Sequence, residues 1–260
     1  YKDPRNDMIE LLKKEKYDII YCMNYSLKYA LLAILSHPKK VIFKALSRKS
    51  WVENYFLTAK KGIKDIELPK RLYLENNHDV ENKIEEKLKE FKPPYIIFSP
   101  AKLKNQPRQG RVWNIENWKT LAENLYEKYK GTIFIIGSED EKEHHQKITG
   151  ENIVHLSGKL HILESSTLIS KANLVISGDT GMIHIASAHF VNALAILGST
   201  SPNKIKPYGD RGFFIEPTTK CKYCWKRKCK KGDFKNSYAP CIESITPDMV
   251  LEKIEKEKLL

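Results

Sequence analysis

Four short runs carry residues whose types and spacing could do chemistry. Asp179-Thr180-Gly181-Met182-Ile183-His184 follows the apolar run Val175-Ile176-Ser177. A strand that enters a tight turn and then a helix places that turn at the carboxyl edge of an α/β sheet, where ligands bind. The free N–H groups at the helix start suit a phosphate, and Asp179 could accept hydrogen bonds from sugar hydroxyls. On spacing alone a plainer reading holds equally: Asp179 or Thr180 is an N-cap and His184 a first-turn polar residue. Met182, Ile185, Ala186 and His189 mark the helix face.

The second run is Arg111-Val112-Trp113-Asn114-Ile115-Glu116-Asn117-Trp118, after a loop carrying Ser99, Lys102, Lys104 and Arg108. Cations in a loop after a strand can clamp a diphosphate. The loop could equally be a solvated basic segment, with Trp113 and Trp118 anchoring the next helix. In the third, Ile136-Gly137-Ser138-Glu139, a small residue lets backbone approach a ligand and a carboxylate can hold a ribose diol. An ordinary glycine turn with an acidic helix start also fits. The fourth, Gly198-Ser199-Thr200-Ser201-Pro202, reads as a hydroxyl-rich loop at the sheet edge. A separate cluster, Cys221, Cys224, Cys229 and Cys241, lies among lysines and Trp225. Its spacing, Cys-x2-Cys-x4-Cys-x11-Cys, allows a structural zinc or iron site, a disulfide pair or unlinked thiols.

The elements that must position these runs alternate strand and helix. Strands are predicted at 18–22, 41–43, 95–98, 132–136, 153–156, 174–177 and 193–197. The later ones are apolar throughout, as in strands buried on both faces of a parallel sheet. Helical spacing marks 27–35, 80–91 and 118–129, and Lys92-Pro93-Pro94 reads as a linker. The fold class is therefore α/β with doubly wound parallel sheets. The expected domains are 1–92, 93–245 with a cysteine-rich loop at 220–241, and a C-terminal helix at 246–260. The chain has 260 residues, of which 41% are hydrophobic and 30% charged, so it can build a core. Its net charge of +13 points to an anionic partner. The longest apolar run, Tyr29 to Leu35, is far below the ~20 residues of a membrane span, and no signal-peptide pattern opens the chain.

Taken in order, the four runs resemble the heptosyltransferases, glycosyltransferase family 9 of the GT-B fold. The resemblance covers Tyr95 to the end. It rests on Ser99-Pro100-Ala101, on Arg111 to Trp118 as a basic-x-Trp-(Pro)-x-x-x-Trp element, on Gly137-Ser138, on Asp179 to His184, and on Gly198 to Pro202. Asn114 stands where the family has proline. The resemblance implies a donor site. Arg111 takes the place of a phosphate-binding lysine, and Asp179 contacts the sugar. Thr180, Gly181 and Met182 present N–H groups to a diphosphate. Ser138 and Glu139 meet the ribose, His161 lies near the base pocket, and His184 follows the pattern; Ser99 and Lys102 belong to the same loop-borne donor site. The implied donor is ADP-L-glycero-D-manno-heptose and the implied acceptor is the inner core of lipopolysaccharide. The mechanism would be an inverting transfer that requires no cofactor. The place implied is the cytoplasm, peripheral at an anionic inner membrane surface, with no nucleic acid partner. The family's catalytic aspartate sits in a Gly-Asp loop after its first strand, and nothing here matches it; Asp3, Asp7 and Asp18 receive no such role. The expectation is an N-terminally incomplete enzyme, with the first domain lacking its first strand, and the alternative is an inactive sugar-nucleotide-binding remnant.

Overall fold

The computed structural model describes residues 4–23, 26–44, 49–101, 109–226, 229 and 238–260. The chain forms two compact units, Tyr1–Pro69 and Lys70–Leu260.

The first unit contains α1 (Pro4–Glu15), β1 (Ile19–Cys22), α2 (Leu27–Leu35), β2 (Lys40–Phe43) and α3 (Trp51–Ala59). Its two strands pair in parallel, with Ile19 opposite Lys40 and Cys22 opposite Phe43. Cys22, at the end of β1, is buried. A capping box starts α3: the Glu53 N–H donates to Ser50 Oγ, and the Ser50 N–H donates to the Glu53 carboxylate.

The second unit holds α4 (His78–Leu88), β3 (Tyr95–Ser99), α5 (Ile115–Tyr129), β4 (Thr132–Ile135), α6 (Lys142–His145), β5 (Ile153–His155) and α7 (Ile162–Ser170). It continues with β6 (Leu174–Ser177), α8 (Gly181–Ala188), β7 (Asn192–Ile196), α9 (Pro202–Ile205), β8 (Gly212–Ile215), α10 (Pro240–Glu243) and α11 (Pro247–Lys256). This unit begins ahead of the Lys92-Pro93-Pro94 linker, because α4 packs on α7. There Lys171 Nζ lies 2.5 Å from Glu81 and 2.6 Å from Glu85.

Six parallel strands run in the order β5-β4-β3-β6-β7-β8. Successive residues of a strand point to opposite faces, so each strand feeds two cores. On one face Ile96, Phe98, Ile133, Ile135, Leu174 and Ile176 meet Trp118, Leu121 and Leu125 of α5 and Ile254 of α11. On the other, Ile97, Phe134, Val175 and Ala195 meet Ile84 and Leu88 of α4, Ile169 of α7, and Ile183 and Ala186 of α8. The α8 face therefore centres on Ile183 and Ala186 rather than on Met182 and His189. All seven expected strands form. An eighth strand, β8, lies at the sheet edge outside the expected set and is only half-buried along most of its length.

From β3 the chain moves outward to β4 and β5; from β6 it moves the opposite way to β7 and β8. Right-handed crossovers in opposite directions put helices on opposite faces and open a crevice at the carboxyl ends of β3 and β6.

Candidate functional site

Three of the four runs meet at that crevice. Ser99 ends β3 and Ser177 ends β6, opposite one another in register. The Ser177 hydroxyl donates to the Ser99 carbonyl at 3.0 Å, and Thr180 Oγ1 lies 2.8 Å from Ser177 Oγ. Because the Ser177 proton goes to the Ser99 carbonyl, the Thr180 hydroxyl donates to Ser177 Oγ, while Thr180 Oγ1 accepts from the Met182 N–H at 3.3 Å. The family resemblance implies that Thr180, Gly181 and Met182 all present N–H groups to a diphosphate. In this structure the Met182 N–H is held by the cap and the Thr180 N–H donates to the Gly178 carbonyl. The Gly181 N–H has no partner among the described hydrogen bonds. A Cβ added at Gly181 would meet nothing within 4 Å, so the start of α8 faces open space.

Beside that opening, Arg111 Nη1 stands 3.2 Å from Asp179 Oδ2, with the two side chains 24% and 15% exposed. The contact is a charge pair and not an aligned hydrogen bond, since Asp179 Oδ2 is buried with no hydrogen-bond donor on it. A desolvated carboxylate oxygen held only by charge is poised to accept a better-aligned donor. Burial pushes the His184 imidazole down, with Asp179 pulling the other way. His184 is therefore neutral at neutral pH.

The fourth run has a definite task. The Ser199 N–H donates to the Gly110 carbonyl at 2.8 Å, and a Cβ on Gly198 would lie 2.3 Å from that same carbonyl oxygen. This close approach fixes the turn that carries Arg111. The segment 221–226 lies over the same loop: the Tyr223 N–H donates to the Gly198 carbonyl and the Trp225 N–H to the Ser199 carbonyl. The Trp225 ring stands 5.5 Å from the Arg111 guanidinium carbon, within cation–π reach. Trp225 received no role from its sequence position. Trp113 and Trp118 do anchor the next helix, as the plainer reading had it: their rings meet edge to face, and the Trp113 indole N–H donates to the Ile245 carbonyl.

Ser138, Glu139 and His161 lie on the same carboxyl edge, one and two strands away from β3. Ser138 donates through both its N–H and its hydroxyl to Glu141. Glu139 pairs with Lys142 at 3.1 Å and packs over Gly158. His161 is the N-cap of α7, and its N–H donates to Glu164. Gly137 does not clear a path for a ligand; its missing side chain leaves room for the buried His145 ring, 2.6 Å from where a Cβ would stand. Lys102, Lys104 and Arg108 lie outside the described residues.

The cysteines gather beside the Arg111 turn. Cys241 is buried, with Sγ 3.2 Å from where a Cβ on Gly110 would be. Burial, with Cys224, Cys229 and Cys221 nearby, pushes its thiol up to about 11. It is therefore protonated at neutral pH. Among the described residues, no three or more His, Cys, Asp or Glu side chains stand in an arrangement that would hold a metal ion.

The arrangement combines a guanidinium, an under-satisfied carboxylate, a helix start open to space and walls of small residues. It can hold a phosphate and a polyhydroxyl group side by side.

Comparison with known proteins gives the arrangement its family. The family model "Glycosyltransferase family 9 (heptosyltransferase)" matches residues 52–235. The chain is similar to lipooligosaccharide heptosyltransferase 2 of Haemophilus influenzae, with 29% identity over 169 residues, 63% of this chain and 45% of that protein. The chain thus spans less than half the length of that relative. Among solved structures it is similar to a glycosyltransferase family 9 protein from Veillonella parvula, with TM-score 0.76 and 17% identity, covering 96% of this chain and 77% of that one. It is also similar to the ADP-heptose heptosyltransferase II of E. coli, with TM-score 0.72 and 18% identity, covering 97% of this chain and 80% of that one. The structural likeness shows the fold, an α/β architecture of GT-B type. With 184 of its 260 residues inside the matched range, the chain belongs to glycosyltransferase family 9, the heptosyltransferases.

Proposed function

We propose that the chain binds ADP-L-glycero-D-manno-heptose at the β3/β6 crevice. It would serve an inverting transfer of heptose to the inner core of lipopolysaccharide. The Arg111–Asp179 pair beside the open start of α8 carries this reading. The names of the relatives supply the substrate class: the H. influenzae protein is a lipooligosaccharide heptosyltransferase, and the E. coli structure is named for ADP-heptose.

The residues divide the work by charge. Arg111 turns its guanidinium from Asp179 to the diphosphate, which accepts bidentately and carries more charge than one carboxylate. Asp179, released, accepts from a hydroxyl of the sugar, which gives its buried Oδ2 an aligned donor. The α8 N-terminus and the Gly181 N–H face the phosphate oxygens and stabilise the negative charge that grows on the departing ADP. Ser138, Glu139 and His161 line the nucleoside end along the β4 and β5 edges, and Glu139 must exchange Lys142 for a ribose diol. The net charge of +13 supports contact with an anionic acceptor and with an anionic inner membrane surface. Among the described residues no helix is long and apolar enough to cross a membrane.

Calorimetric titration of the chain with ADP, and with UDP as a control, tests the reading. Arg111→Ala should weaken ADP binding by about tenfold or more, the loss expected for one charge-assisted pair. Equal affinity in the variant and the wild type would remove Arg111 from the site. A preference for UDP would overturn the choice of nucleotide.

A further inference from the structure

Behind the donor edge lies a buried histidine that the chemistry above does not use. His145 ends α6 and is fully buried. Its Nε2 lies 2.7 Å from the Pro100 carbonyl oxygen and its Nδ1 2.7 Å from Ser157 Oγ. A carbonyl only accepts, so Nε2 carries the proton and donates to Pro100, while Nδ1 accepts from the Ser157 hydroxyl. Both ring nitrogens are satisfied in one neutral tautomer. Burial pushes the imidazole down; the Pro100 carbonyl and Glu141 pull it up, and His144 and His155 add to the downward push.

Three strand ends meet on this ring. Pro100 follows β3, Gly137 follows β4 and Ser157 follows β5. From Pro100 the connection to the crevice is one residue long in each direction. Ser99 places its hydroxyl 3.4 Å from that of Thr180. Ala101 places its Cβ 3.5 Å from where a Cβ on Gly178 would stand, in ordinary contact. Asp179 sits between these two touching points.

We propose that His145 is a positioning residue for the nucleotide-sugar site: by bridging Pro100 and Ser157 it sets the Ser99–Ala101 loop against Gly178 and Thr180, and so sets Asp179. The inference rests on the donor-binding reading above, but its structural half can be read without any ligand.

Two variants separate the ring's bulk from its hydrogen bonds. His145→Phe keeps a ring in the space left by Gly137, leaves the Pro100 carbonyl buried without its donor, and leaves the Ser157 hydroxyl only its 3.4 Å contact with the Ile135 carbonyl. His145→Gln keeps an amide donor that can reach Pro100. Amide hydrogen exchange of the ligand-free chains is followed at Ser99, Ala101 and residues 178–183, and ADP affinity is measured by calorimetry. In the Phe variant, exchange should quicken at those amides and ADP should bind about fivefold or more weakly, the loss that follows from about 1 kcal/mol per hydrogen bond. The Gln variant should recover most of both. Unchanged exchange in the Phe variant overturns the proposal. So does unchanged ADP affinity, or a Gln variant as impaired as Phe. If His145→Phe does not fold, Ser157→Ala takes its place, removing one anchor and leaving the ring; it should move exchange in the same direction by less, and no change overturns the proposal. A wild-type chain that binds no ADP overturns the functional reading instead, and the exchange result still decides whether the brace exists.

Discussion

The two units follow the same parallel strand–helix–strand scheme and differ in how much of their apolar surface they cover. In the larger unit β3, β4, β6 and β7 are almost wholly buried, and each passes alternate residues to two helix layers. In the smaller unit the described strands form a two-stranded sheet beside α1, α2 and α3. Along α2, Leu27 is 88% exposed and Leu31 56%, with Ile34 and Leu35 also exposed; on β2, Phe43 is exposed. α2, Leu27–Leu35, is apolar around most of its surface, whereas α5 carries a single apolar stripe on a charged helix. The two also differ in the number of described strands that receive them, two against six. Periodicity thus tells where a helix lies, while the sheet decides whether its stripe stabilises anything.

Four measurements sharpen or break that contrast, taken from the largest expected effect downward. Leu121→Ala, in the α5 stripe of the larger unit, removes a fully buried side chain and should cost about 2–5 kcal/mol in urea unfolding. A loss below about 1 kcal/mol would mean that the α5 core is not as closely packed as its burial implies.

Acidification should come next, and it should act on the larger unit. His145, His155, His184 and His189 all lie there, and burial pushes each of them down. The unfolded chain takes up protons at these imidazoles near pH 6.5, while the folded chain does so only at lower pH. Stability is therefore fully present above about pH 6.5 and falls as pH drops from there toward the folded values. The melting temperature should decline between about pH 7 and pH 5, before most carboxylates titrate. A flat profile over that window would show that these imidazoles are hydrated in solution.

Ser50→Ala removes the acceptor for the Glu53 N–H at the start of α3. The cost should be about 1 kcal/mol, seen as lost helicity by circular dichroism. Leu31→Ala completes the series: at a half-exposed site in α2 it should shift stability by no more than about 0.5 kcal/mol. Should Leu31→Ala cost as much as Leu121→Ala, the exposed stripe of α2 is covered in solution and the contrast between the units fails.

Much of this molecule was legible in sequence, and the failures have physical causes. The buried strands stood out because residues covered on both faces are apolar without alternation. β8 did not, because Gly212, Phe213 and Phe214 at a sheet edge are only half covered. α7 was hidden by its own composition: Ser165, Ser166 and Thr167 are buried in it, so no apolar stripe is visible. At the candidate site, the place of Asp179 at the carboxyl edge was legible because it follows the end of β6 directly; its pairing with Arg111 was not. Trp225 and His145 were not, because each acts on a loop far away in sequence. At Gly137 the close partner is likewise distant in the chain: a glycine reports that something comes close, and only the fold shows that it is the ring of His145. Nor does the sequence show that the Thr180 hydroxyl accepts from the Met182 N–H.

The central claim is that Asp179 exchanges Arg111 for the donor sugar while Arg111 takes the phosphates. It is tested most directly by comparing the affinities of ADP and ADP-heptose in the wild-type chain and in Asp179→Asn. The account predicts tighter binding of ADP-heptose than of ADP in the wild type. It also predicts that the substitution removes this advantage and leaves ADP bound, since Arg111 remains. An advantage of ADP-heptose that survives the substitution unchanged would contradict it.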